Sequence, residues 1–141
     1  MINDDRNKIG LNERTIQNCI VAWEVLGGNQ FCELDTSFAH IHSSQTKFIQ
    51  NQNKVILGAD VLPGNGTSAH SRISLLACLA HEKAHAERFN SFRLDRDVEE
   101  RDEAETNIHA SWEVVLSPVD KESLIAASVE LLEIWLENKR N

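Results

Sequence analysis

Four stretches of the chain set apolar side chains at helical spacing, and one stretch between them sets them in short β-type runs. Ile16, Ile20, Trp23 and Leu26 recur every three or four residues behind Asn12, a residue suited to an N-cap, and Gly27-Gly28 ends the run. Between residues 31 and 62 the pattern shortens. Segments 31–38, 40–43, 47–50 and 54–59 are parted by polar Asn, Gln and Ser clusters, and they predict a small sheet of three or four strands. Pro63-Gly64-Asn65-Gly66 breaks the chain as a turn, after which Thr67 or Ser68 caps a helix running to about Asn90. The next helix spans about 95 to 117. Its acidic start opposes the positive end of the helix dipole, and it stops before Pro118. Asp120 then caps a last helix, whose stripe is Leu124, Ala127, Leu131, Ile134 and Trp135.

The order helix, small sheet, three helices predicts an α+β fold with one core. A length of 141 residues suits a single domain over 1–141, with the polar first ten residues as a flexible leader. Hydrophobic residues at 41% and charged residues at 26% leave enough apolar surface for that core. The net charge of −8, with no face that concentrates Lys and Arg, argues against direct binding to a phosphate backbone. No apolar run is long enough for a membrane span or a signal peptide, so the expected location is cytoplasmic, with no membrane partner. Cys19, Cys32 and Cys78 are odd in number and widely spaced, which suits a reducing compartment.

The string with chemical content is His81-Glu82-Lys83-Ala84-His85, an HExxH sequence inside a predicted helix. Residues four apart lie one above the other on a helix, so His81 and His85 can offer ring nitrogens to one tetrahedral ion, for which Zn2+ is the natural guest. Glu82 is rotated away from the ligands yet near enough to serve as general base toward a water in the ion's open position. The flanking Ala77, Ala80 and Ala84 permit close packing against a sheet. His40 and His42 alternate on an expected strand and read as polar surface, and Cys78 reads as a small core residue.

A third ligand must come from another element, and the acidic helix offers Glu99, Glu100, Asp102, Glu103, Glu105 and His109. At about 100° per residue, Val98, Ala104, Ile108, Trp112, Val115 and Leu116 define an apolar face with Glu105 near its centre and Glu103 pointing almost directly away. A carboxylate on an apolar face calls for a partner, so Glu105 is the expected ligand, the alternative being an exposed acid or a partner for Arg101. Asp102 and His109 flank that face as reserves, and Glu103 is a further alternative.

From residue 54 to 118 the chain resembles the ImmA/IrrE-like metallopeptidases, which share a strand, an HExxH helix and a downstream helix reading ExxAxxFAxxLLxP. The corresponding positions are Glu105, Ile108, Ser111, Trp112, Val115, Leu116 and Pro118, with Ala84 where a Gly is common and Ser111-Trp112 where Phe-Ala is usual. The resemblance implies a zincin-like fold and a zinc-dependent regulatory protease whose protein substrate is a separate DNA-binding repressor or operon partner. Beside this expectation stand two others: a non-catalytic zincin-like interaction or sensing module, and a helical protein in which HExxH is accidental.

Overall fold

A computed structural model describes residues 5–94, 97 and 99–140. Among them, five α-helices surround a three-stranded mixed sheet, which is the expected α+β class. Helix α1 (Glu13–Val25) starts where Asn12 accepts a hydrogen bond from the Thr15 N–H and ends at Gly27, whose φ of 77° is a conformation that glycine adopts without strain. Ile16, Cys19 and Trp23 face the core, whereas Ile20, expected on the same stripe, is 38% exposed.

The strands are β1 (Glu33–Asp35), β2 (Lys47–Ile49) and β3 (Lys54–Ile56), in the spatial order β1-β3-β2. Central β3 pairs parallel with β1 and antiparallel with β2, so that Val55 stands opposite both Leu34 and Phe48. Residues 40–43, counted among the candidate strands, form turns; there His42 Nδ1 accepts the Gly10 N–H at 2.9 Å.

The helix expected over about 67–90 is two helices. Ser68 caps the single turn α2 (Ala69–Arg72), Ile73 takes extended backbone with ψ of 133°, and Ser74 caps α3 (Leu75–Phe92). Two serine hydroxyls six residues apart each satisfy a helix N-terminus, and this permits a break that neither Gly nor Pro announces. Helix α4 (Glu100–Ala110) is shorter than the expected segment, because residues 111–116 turn toward α5 (Pro118–Arg140). Positions 95, 96 and 98 of that segment lie outside the described residues. Pro118 opens α5 rather than ending α4: proline suits a first helical position, and the Ser117 hydroxyl accepts the Asp120 N–H.

The first ten residues are not a loose leader over residues 6–10. Arg6 is buried, and its guanidinium donates to the carbonyls of Asp60, Val61 and His70 at 2.6–2.8 Å. The Asn7 and Leu11 N–H groups bond to Leu62 and Ala39 carbonyls. A Cβ on Gly64 would sit 1.7 Å from the Asp5 carbonyl oxygen, so the glycine turn gives this N-terminal strap room to pass. No helix among the described residues is long and apolar enough to cross a membrane.

Candidate metal centre

Helix α3 lies at the centre of the fold because its alanines let neighbours close in. Ala77, Ala80, Ala84 and Ala86 are all essentially buried, with α1, the sheet, α4 and α5 packed around them. A helix enclosed this way buries polar residues too, and each needs a partner. Lys83 finds Glu113 beyond the end of α4 and lies 5.5 Å from the Phe31 ring centroid. Glu82 accepts the main-chain N–H of Phe48, on edge strand β2, at 2.9 Å.

His81 and His85 emerge one turn apart with their rings edge to face, centroids 4.7 Å apart. Helix α4 runs antiparallel to α3 here, as shown by contacts of His81 with Asn107 and of His85 with Glu103. The Glu103 carboxylate lies 2.9 Å from His81 Nε2 and 3.3 Å from His85 Nε2. One ligand atom from each of the three residues falls within 4.8 Å of the others. Tetrahedral ligands about 2.0–2.3 Å from a zinc ion stand roughly 3–4 Å apart, so two imidazoles and one carboxylate gathered this closely could hold such an ion once the side chains close slightly around it.

Asn107, buried beside the pair, presents Oδ1 at 2.7 Å from His81 Nδ1. An amide oxygen only accepts, so Nδ1 carries the proton and Nε2 is the nitrogen facing Glu103. Burial pulls the His81 imidazole down, but the hydrogen bond to Glu103 and its charge, aided by Glu82 and Asn107, outweigh burial and push it up to about 9. Glu103 shows the reciprocal effect: burial pushes its carboxyl up, and the two histidines hold it well below the usual carboxylate range. Without a metal, the group is an ion pair of His81 imidazolium and Glu103 carboxylate.

Of the residues singled out in the sequence, His81 and His85 meet Glu103 of α4, Glu82 on the same helix as the histidines reaches toward β2, and Glu105 does not join them. Its carboxylate is on the outer surface, 42% exposed, 3.6 Å from Arg101 Nε one turn earlier. That Glu103 rather than Glu105 reaches the two histidines has a physical cause. The face of α4 turned inward consists of Ala104, Thr106, Asn107, Ala110 and the adjoining Ser111, whereas Ile108 and Trp112 point outward. Small and polar residues let α4 wedge against α3 and α5, so the face with the largest hydrophobes is not the buried one.

The reserves are engaged elsewhere: Asp102 accepts from Arg88 at 3.0 Å, and His109 pairs with Glu87. Asn107 was not singled out in the sequence, although its position four residues after Glu103 puts both on one face. Burial pushes the Cys19, Cys32 and Cys78 thiols up to about 11, 11 and 12, which keeps them protonated and unsuited to act as thiolate ligands or nucleophiles. Comparisons with protein-family models, with curated proteins and with solved structures find no match to this chain.

Proposed function

We propose that this chain is a zincin-like, zinc-dependent peptidase that hydrolyses a peptide bond in a protein substrate. The observation that carries this reading is the convergence of His81 Nε2, His85 Nε2 and the Glu103 carboxylate beside the buried carboxylate of Glu82. His81, His85 and Glu103 would hold the ion, with Asn107 fixing the His81 ring. Zinc bound there supplies Lewis acidity toward a substrate carbonyl and a water.

Glu82 does the proton work. Its Oε1 is held by the Phe48 N–H, and its Oε2 has no hydrogen-bond partner among the described residues. The carboxylate is thus fixed in orientation with one oxygen left to take a proton from the attacking water and deliver it to the leaving amine. The substrate class is what the resemblance implies, a regulatory protein partner such as a DNA-binding repressor in the cytoplasm, and it rests on the HExxH helix, since the pattern's acid, Glu105, lies away from the histidines. The acidic net charge suits a basic partner.

The deciding experiment compares wild type with Glu82→Gln. A Gln side-chain oxygen still accepts the Phe48 N–H, so the fold and metal site are preserved while the base is removed. About one zinc per chain is expected in both proteins by elemental analysis, with cleavage of a labelled casein probe and of candidate partners reduced roughly 10²–10⁴-fold in the variant. Wild type that stays metal-free after zinc repletion would overturn the reading. The Phe48 contact also favours a second reading, a non-catalytic interaction module in which Glu82 serves as a strut between α3 and β2. Full zinc occupancy with equal, background-level hydrolysis by both proteins would establish it.

A further inference from the structure

Helix α5 has one apolar stripe more than the fold uses. Leu124, Ala127, Ser128 and Leu131 are buried, with the Ser128 hydroxyl donating to the Ala104 carbonyl. On a second side the Glu130 carboxylate accepts the Ala69 N–H at the start of α2. The outward side should be polar, yet it carries Ile125, Val129, Leu132 and Leu136. Three of these are about half exposed, at 49%, 49% and 48%, and Leu132 is partly covered. Their separations of four, three and four residues follow the 3.5-residue period of a seam between two helices.

The charges at the two ends of the stripe select its occupant. Glu122 stands three residues before Ile125, and Lys139 stands three residues after Leu136, its ammonium 5.4 Å from the centre of the Trp135 ring. If a second α5 lies antiparallel so that Ile125 meets Leu136 and Val129 meets Leu132, Glu122 of each chain meets Lys139 of the other. A parallel pair would instead set Glu122 against Glu122 and Lys139 against Lys139. The stripe is therefore complementary to its own reversed copy, the condition for a two-fold symmetric interface.

We propose that the outward face of α5 docks a second copy of this chain, antiparallel and in that register. The inference is independent of the metal reading, since none of its residues belongs to the His81, His85 and Glu103 group. A stripe of this length buries less than the roughly 800 Å² per partner of a standard stable interface, so the dimer forms reversibly with concentration. The terminal ion pairs choose the direction of pairing more than they add affinity.

Sedimentation equilibrium between about 10 μM and 1 mM, the span over which weak homodimers populate, tests the proposal. The weight-average mass is expected to rise from that of one chain toward that of two. Val129→Glu should keep it at one chain throughout, with helix content by circular dichroism unchanged. Glu122→Lys and Lys139→Glu should each weaken association about three- to tenfold by opposing like charges, and the double exchange should restore it. A wild type of single-chain mass up to 1 mM, or a dimer indifferent to Val129→Glu, would overturn the proposal. Should Val129→Glu unfold the chain, the charge exchanges decide: a double variant no tighter than the single ones excludes the antiparallel register.

Discussion

The inner and outer faces of α4 divide their residues against the usual rule. Inward, Ala104, Thr106, Asn107 and Ala110 are buried and Glu103 reaches the two histidines; outward, Ile108 is 36% exposed, and Trp112 just past the helix end is 68% exposed. Two glutamates two residues apart therefore live in opposite worlds. Glu103 is enclosed by imidazoles, and Glu105 makes a loose ion pair with Arg101 over open solvent. A helix that must fit between two others is selected for thinness on its inner side, and its chemistry goes where neighbours hold it still. The large hydrophobes left outside contribute little to folding and are available for other contacts.

The largest expected effect separates the two acids. Glu103→Ala should lower zinc affinity by more than the roughly 10–100-fold typical of a residue that only orients a ligand, whereas Glu105→Ala should leave it within about twofold, as befits an exposed pair. A chelator competition titration reads both, and equal losses would erase the distinction between the faces.

Next comes Asn107→Leu, which keeps the volume and removes the acceptor for His81 Nδ1. Zinc affinity is expected to fall about 10–100-fold, with Asn107→Asp restoring it. Equal affinity in the leucine variant would show that packing alone holds the ring. On the same inner face, Ala110→Leu should cost about 1–3 kcal/mol in a urea denaturation because α4 has no room to grow there.

A smaller effect comes from pH. In chelator-treated protein the His81 imidazole, at about 9, lies above its ordinary value near 6.5. Its contribution to stability is thus complete below about 6.5 and lost as pH rises through about 9. The melting temperature of wild type should fall across that window relative to Glu103→Gln, and parallel profiles would refute the pairing. Smallest of all, Trp112→Ser on the outer face should change stability by no more than about 0.5 kcal/mol.

These contrasts also show what a linear sequence discloses. HExxH was legible because its geometry is local: one helix, four residues, one face. The N-cap at Asn12 and the three strands were legible for the same reason, each being announced by neighbours in the chain. The acid that joins the two histidines was not, because the expectation of Glu105 rested on the rule that large hydrophobes mark the buried face, which α4 breaks. The helix break at Ile73 was hidden because serine caps substitute for the Gly or Pro that would have marked it. Arg6 was invisible because a cation satisfied by main-chain carbonyls leaves no periodic trace.

That arginine also orders events in time. Its three acceptors lie 54, 55 and 64 residues further along the chain, nearly half the molecule away. During synthesis the guanidinium is made first and waits, hydrated and unfastened, until residues 60–70 have left the ribosome and found their places. Closing so large a loop is a late step, since its entropy is repaid only once the distant acceptors are fixed. Residues 6 and 7 are made well before their acceptors and are thus among the last to be secured, and the strap becomes a lock on the segment over residues 59–70.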